Sequence, residues 1–200
     1  MNPEMMKGAY ALGAASAIGG GAFTAKYIYD RSSSISIESH LKSKNLTVIS
    51  SLNSTSQWEE EYKLDKDAIK AEIQITNDNE GGTKLKEWCS QQLSKPFKEG
   101  EDLSKIERWC TVGKISQRIP KGKELLQDGA ESSEWEKLYN KNTDQNERNK
   151  LSLASSKEDG TKNNDLTSIK KFCSDNKDKP FLADRKATEY DLVILWCIKQ

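Results

Sequence analysis

The sequence predicts a mainly α-helical protein in which an N-terminal transmembrane helix precedes two tandem, related small helical modules that also accommodate short strands. Three observations support this prediction. The first thirty residues are poor in charge, a run of aromatic, proline and cysteine residues occurs twice in the same order, and apolar residues recur at helical spacing. We therefore assign residues 1–30 to a membrane anchor, 31–112 to module 1 and 113–200 to module 2.

The composition excludes some classes of function. The chain has 200 residues, and its 31 basic side chains are balanced by 31 acidic ones, so no field of one sign attracts nucleic acid. Hydrophobic residues make up only 34% of the chain, and the mean hydropathy is -0.82. Each module must therefore fold around a small core, and small cores are commonly reinforced by disulfides or metals.

Residues 8–28 predict the anchor because they contain a single charged side chain, Lys26, near their end. As a helix this segment is about 31 Å long, which matches the hydrocarbon thickness of a bilayer. A cleaved signal peptide is the alternative, since Ala15-Ser16-Ala17 has the small residues of a cleavage site. The apolar run continues past that site and no basic cluster precedes it, so we favour an uncleaved single-pass anchor.

Small residues recur at every fourth position of the anchor. This spacing allows another helix to approach closely within the lipid, although a segment rich in alanine and glycine also produces it by chance. The residues of this stripe are Ala9, Gly13, Ala17, Gly21 and Ala25. The helix that packs against them would come from a second copy of the chain, so a homo-oligomer is one expected assembly.

The first helix predicted in each module carries a tryptophan and a tyrosine one turn apart. These pairs are Trp58 with Tyr62 and Trp135 with Tyr139. The start of each helix is predicted from a Ser-x-x-Glu capping box, in which the serine accepts an amide hydrogen bond and the glutamate reaches back to the cap. The two boxes are Ser56 to Glu59 and Ser133 to Glu136.

A second helix is predicted in each module from apolar residues at positions i, i+3 and i+4. The two sets are Leu85, Trp88 and Cys89, and Ile169, Phe172 and Cys173. Thr83 and Thr167 are the predicted N-caps, and Pro96 and Pro180 are expected to end the helices because proline cannot continue them. The polar stretch 140–167, where module 2 is longer than module 1, predicts a surface loop.

The third predicted segment of each module ends in a Trp-Cys pair. These pairs are Trp109-Cys110 and Trp196-Cys197, and apolar residues at three-residue spacing before them favour a helix. In module 2 the apolar run 192–196 fits a buried strand equally well.

The four cysteines form two equivalent pairs, Cys89 with Cys110 and Cys173 with Cys197. A disulfide within each module is one interpretation, and it would place the modules in an oxidising, extracellular environment. Four reduced cysteines that pack as small apolar side chains are the other interpretation. A zinc site is not expected, because the chain contains no C-x-x-C and only one histidine, His40.

No residue pattern predicts catalysis or a cofactor. A catalytic triad could be built only around His40, no phosphate-binding glycine motif follows a strand, and no carboxylate lies in an apolar stretch that would raise its pKa. We therefore expect a protein that is not an enzyme and that binds no metal or cofactor. The duplicated aromatic residues are expected to form the module cores, and they are Trp58, Tyr62, Trp88, Trp109, Trp135, Tyr139, Phe172 and Trp196.

The order of these motifs resembles the expanded paralogous families of membrane-anchored surface proteins of haemotropic mycoplasmas. In both, an anchor rich in glycine and alanine precedes an apolar pair, a Trp-x-x-x-Tyr helix, a Leu-Lys-x-x-Cys helix and Trp-Cys-Thr-Val. The matching residues of the first copy are Ile37, Leu41, Trp58, Tyr62, Leu85, Cys89 and Trp109 to Val112. The resemblance implies membrane attachment and surface exposure, and it supplies no catalytic residue.

These observations together predict a non-catalytic, membrane-anchored surface protein, an antigenic or host-interaction scaffold whose bulk is extracellular. Its expected partners are membrane lipid at the N-terminal helix and a host surface molecule, and nucleic acid is not among them. The alternative function is a membrane-tethered scaffold that faces the cytoplasm with reduced cysteines. The oxidation state of the cysteines separates these two functions.

Overall fold

Two hydrophobic cores organise the fold, one within each half of the sequence repeat. The computed structural model describes residues 35–154 and 159–199. The first core gathers buried side chains between Ile37 and Cys110, and the second gathers those between Ile115 and Cys197. Both cores belong to one compact unit, Ile35–Gln200.

The predicted mainly helical class is confirmed in the described residues. Module 1 contains α1 (Ile37–Ser43), α2 (Thr55–Leu64), α3 (Lys66–Ile73), α4 (Gly81–Leu93) and α5 (Ser104–Cys110). Module 2 contains α6 (Ser132–Lys141), α7 (Gln145–Lys150), α8 (Asp159–Asn176) and α9 (Tyr190–Trp196). Short 3-10 turns lie at Ile49–Leu52, Asp78–Glu80, Ile115–Arg118 and Ala183–Arg185. The run 192–196 is therefore helical rather than a strand.

Single antiparallel bridges close each module at equivalent places. They pair Ser36 with Pro96 and Val48 with Thr111 in module 1, and Lys114 with Pro180 and Leu125 with Ile198 in module 2. The amide of Phe97 donates to the carbonyl of Ile35 at 2.8 Å, and the amide of Phe181 donates to that of Gly113 at the same distance. The duplicated sequence thus forms duplicated backbone contacts.

The predicted caps of the Trp-x-x-x-Tyr helices are wrong by two residues. Ser54 caps α2 and accepts a hydrogen bond from the amide of Gln57 at 3.2 Å, so Ser56 lies inside the helix. Helix α6 follows Glu131, which makes no side-chain cap hydrogen bond, and Ser133 lies inside it. In module 1 the start is set by the preceding turn, because Asn53 takes a left-handed φ of 51° directly before Ser54.

The second pair of helices is longer than predicted. Helix α4 begins at Gly81 and α8 at Asp159, so Thr83 and Thr167 are helix-interior residues rather than caps. Both helices end before the bridges that contain Pro96 and Pro180. The stretch 140–167, predicted to be a surface loop, contains α7 and the start of α8.

Most of the predicted core aromatics are buried. Trp88 and Phe172 are the exceptions, since each is half-buried and packs against the edge of its core. The buried members are Trp58, Tyr62, Trp109, Trp135, Tyr139 and Trp196.

The predicted membrane anchor and its stripe of small residues lie outside the described residues. Within residues 35–154 and 159–199, no helix combines the length and apolar character needed to cross a bilayer.

Candidate functional site

A buried ion pair lies where the two modules meet. The carboxylate of Glu61 accepts a hydrogen bond from Nε of Arg118 at 2.8 Å, and each side chain is only 3% exposed. Glu61 lies on the buried face of α2 beside Tyr62, and Arg118 ends the 3-10 turn Ile115–Arg118. A charge from module 1 is therefore neutralised by a charge from module 2 in a water-poor interior, where either alone would be costly.

Neighbouring polar groups complete this contact. Nε2 of Gln57 donates to Oε1 of Glu61 at 3.2 Å and to the carbonyl of Phe181 at 3.0 Å, while its Oε1 accepts from the amide of Ala183 at 2.7 Å. Nη2 of Arg118 donates to the carbonyl of Thr111 at 2.8 Å. The side chains are held from both modules, so the arrangement is rigid and specific in orientation.

A second polar link flanks the buried pair. Nε of Arg108 donates to Oδ2 of Asp65 at 2.6 Å, and the indole of Trp109 donates to the same oxygen at 3.1 Å. Nη1 of Arg108 also donates to the carbonyl of Gln117 in module 2. Leu64, next to Asp65, packs against the second hydrophobic core, so apolar and polar contacts both join the modules.

Burial dominates the electrostatics of this contact. It raises the pKa of Glu61 above its ordinary value even though Arg118 opposes the change, and it lowers the pKa of Arg118. Burial also opposes ionisation of Asp65, but the hydrogen bond and charge of Arg108 outweigh it and lower the pKa. The hydroxyl of Tyr190 donates to the carbonyl of Arg118 at 3.0 Å, and burial raises the pKa of Tyr190 to about 12.

No apolar stretch of the sequence marks Glu61 as a carboxylate of raised pKa. Its burial arises from packing between the modules and not from the residues beside it in sequence. One signal could have found it: Glu61 is three residues after Trp58, and the residue three after Trp135 is Leu138, which is fully buried. An acidic residue at the place of a core leucine indicates a buried charge that needs a partner.

A second buried ion pair lies within module 2. Nη2 of Arg148 donates to Oδ2 of Asp165 at 2.7 Å, and Tyr139 donates to the same carboxylate oxygen at 3.2 Å. Oδ1 of Asp165 accepts from the amide of Ala154 at 3.0 Å, and Nε of Arg148 donates to the carbonyl of Ala154 at 3.1 Å. The polar stretch 140–167 is thus held to the core by charges that are distant in sequence.

The structure joins Cys89 to Cys110 and Cys173 to Cys197, as one of the two sequence interpretations predicted. Their Cα atoms are 5.5 and 5.6 Å apart. Each disulfide links the second helix of its module to the Trp-Cys segment, so both modules carry the same covalent tie. No cysteine of the chain is left free.

His40, the single histidine of the sequence, stacks on Phe97 with ring centroids 3.6 Å apart. Among the described residues, no group of three or more metal-ligating side chains could hold an ion. The buried carboxylates of Glu61 and Asp165 are each engaged by arginine and amide donors.

No family model, curated protein or solved structure matches this chain.

Proposed function

We propose that this protein is a non-catalytic, membrane-anchored surface protein that acts as an antigenic or host-interaction scaffold. The observation that carries the proposal is the pair of disulfides at equivalent positions of the two modules. Stable disulfides are typical of proteins outside the cytoplasm, where no thiol pool reduces them. Two disulfides that stabilise the cores also suit a scaffold, because its exposed residues can be substituted while the cores stay folded.

The surface of the described residues supports this proposal. Ile35 is the exposed large apolar side chain in that part of the chain, at 51%. Many of the other exposed contacts are pairs of lysine with aspartate or glutamate, such as Lys42 with Glu38 and Lys171 with Asp175. Such a surface is well solvated and tolerates substitution, because exposed ion pairs contribute little to stability.

The test is the oxidation state and accessibility of the cysteines in the native membrane. Because the four cysteines are buried, we would denature the protein directly from its native membrane in the presence of a maleimide, with and without prior reduction, and then map the linked and labelled peptides. The proposal predicts no labelling without reduction and labelling of all four cysteines after it. Four cysteines that label without any reductant would instead support the cytoplasm-facing scaffold.

A further inference from the structure

The contact between the two modules joins two different surfaces. Module 1 offers Leu64, which packs against the second core, and the carbonyl of Thr111. Module 2 offers Arg118, which donates to that carbonyl, and the carbonyl of Gln117, which accepts from Arg108. Because the modules share the order of their elements, module 2 also has a region at the positions of the first surface and module 1 has a region at the positions of the second, although the residues there differ. A contact of this heterologous type leaves both of those surfaces unused within one chain.

The unused surface of module 2 is a groove. Equivalent residues are found by counting along the sequence from the first tryptophan and the last cysteine of each module. Counted in this way, Leu64, Arg108 and Thr111 of module 1 correspond to Lys141, Leu195 and Ile198 of module 2. All three line one groove of about 690 Å³, together with residues of α7 and α9. We call it the module 2 groove.

The unused surface of module 1 is partly exposed, whereas the equivalent residues of module 2 are buried. His40 lies three residues after Ile37, as Arg118 lies three residues after Ile115. Phe97 directly follows Pro96, as Phe181 directly follows Pro180. Phe181 is 0% exposed and Arg118 is 3% exposed, because they lie against module 1. His40 and Phe97 are half-buried and line a shallow groove of about 410 Å³, which we call the module 1 end face.

The charges of the two surfaces are complementary. Lysines outnumber acidic residues in the module 2 groove, where Lys123, Lys141 and Lys150 accompany Glu147 and Asp191. Acidic residues outnumber lysines on the module 1 end face, where Glu101, Asp102 and Glu107 accompany Lys44. Complementary potentials favour encounter and fix the relative orientation of two surfaces.

We propose that the module 2 groove binds the module 1 end face of a second copy of this chain. The contact uses, between chains, the positions that join modules 1 and 2 within one chain, with exposed lysines and carboxylates in place of the buried ion pair. Since the two surfaces differ, each copy accepts one neighbour and is accepted by another. A heterologous contact that does not close into a ring produces open head-to-tail rows.

The test uses the full chain in detergent micelles and measures its mass distribution by sedimentation velocity. The wild-type chain is expected to form a concentration-dependent series of oligomers. Lys123→Glu alters only the groove and Glu101→Lys alters only the end face, and each is expected to weaken association about tenfold. Lys86→Glu, on the exposed face of α4, is the matched control and is expected to leave the series unchanged.

Mixing the two variants separates a head-to-tail contact from other forms of pairing. Glu101→Lys retains an intact groove and Lys123→Glu retains an intact end face, and the two altered surfaces carry opposite charges again, so an equimolar mixture is expected to recover the association that each variant alone has lost. Circular dichroism confirms that each variant is folded. Lys123→Ala and Glu101→Ala, which remove the charges without reversing them, should weaken association in the same direction by a smaller factor.

Three results would overturn the proposal. The first is a wild-type chain that stays monomeric up to about 100 μM, a concentration at which even weak specific contacts are populated. The second is an oligomer series that neither charge reversal changes. The third is a closed dimer that persists equally in both variants and in their mixture, which would assign the pairing to the N-terminal segment instead.

Discussion

At the scale of single residues, Glu61 and Arg118 stabilise the protein only as a pair. Arg118→Ala would leave the carboxylate of Glu61 buried without a counter-charge, and we expect it to lower the free energy of unfolding by about 3–5 kcal/mol. Urea denaturation of the variant and the wild-type chain measures this difference. Lys63→Ala, which removes the exposed partner of Glu60, is the control and should change the same quantity by less than about 0.5 kcal/mol.

Replacing both members of the pair provides a further check. Module 2 has Leu138 at the place of Glu61, so Glu61→Leu is the substitution that the repeat itself suggests. Combined with Arg118→Met, it should recover most of the stability lost in Arg118→Ala, because no uncompensated charge remains. If the double variant were as unstable as the single one, packing around Arg118 and not its charge would be responsible.

The pH dependence of Arg118→Ala follows from the same burial. Burial already raises the pKa of Glu61 above 4.5, and loss of Arg118 removes the charge that opposes this shift. A carboxyl whose pKa is raised in the folded state contributes most stability below its unfolded pKa and loses that contribution as the pH rises through the folded pKa. The deficit relative to wild type should therefore be smallest below about pH 4.5 and grow as the pH rises above that value, as measured by denaturation at each pH.

The control for this pH dependence is Glu61→Gln in the Arg118→Ala background. Glutamine does not titrate, so the difference from wild type should lose most of its slope over the same range. An unchanged slope would mean that another buried group, and not Glu61, binds the proton.

At the scale of helices, the approach of α4 to α2 depends on Gly82. A Cβ at Gly82 would lie 2.9 Å from the backbone nitrogen of Glu59, which is closer than packed atoms allow. Gly82→Ala should therefore lower the free energy of unfolding by about 1–3 kcal/mol, although alanine favours the helix itself. Thermal unfolding compared with Gly160→Ala tests this, because a Cβ at Gly160 in α8 meets nothing within 4 Å and should not destabilise the protein.

The helices differ in how well the sequence reveals them. Helices α2, α4 and α5 carry their aromatic and cysteine residues at helical spacing, so their existence and type follow from the pattern. The predicted starts of α2 and α4 are wrong because a cap depends on the turn before it, as Asn53 shows before α2. Helix α7 was missed because its residues are polar, and its position depends on the distant pair Arg148 and Asp165.

At the scale of the whole molecule, the two cores should unfold together. The Cys173–Cys197 disulfide closes a loop of 24 positions, and replacing both cysteines by alanine should cost about 3 kcal/mol. Since Gln57, Glu61 and Leu64 join module 1 to module 2, this loss should shift a single cooperative transition of both modules. Differential scanning calorimetry measures the number of transitions.

The equivalent change in module 1, replacing Cys89 and Cys110 by alanine, is the matched comparison. It removes a disulfide of similar loop length and should shift the same transition by a similar amount. Separate melting of one module while the other keeps its original midpoint would contradict the coupling of the two cores.

The candidate site was less predictable than the fold. The two cysteine pairs are recognisable from their equivalent positions in the repeat, which leave disulfides and reduced thiols both open, and the structure contains the two disulfides. The contact between the modules could not be predicted, because it joins Gln57 to Phe181 and Glu61 to Arg118 across more than fifty positions of sequence. Local patterns describe which face of a helix is buried, but not which distant segment covers it.

The position of Arg118 also bears on the order in which the chain is synthesised. Residues up to Cys110 contain the whole first core, and within it the carboxylate of Glu61 has no arginine partner until Arg118 is added eight residues later. Once Arg118 has been synthesised, the chain contains both the first core and the counter-charge of Glu61. The side chain of Gln57 finds its partners, Phe181 and Ala183, only when module 2 has been made, so the contact between the modules is completed late in synthesis.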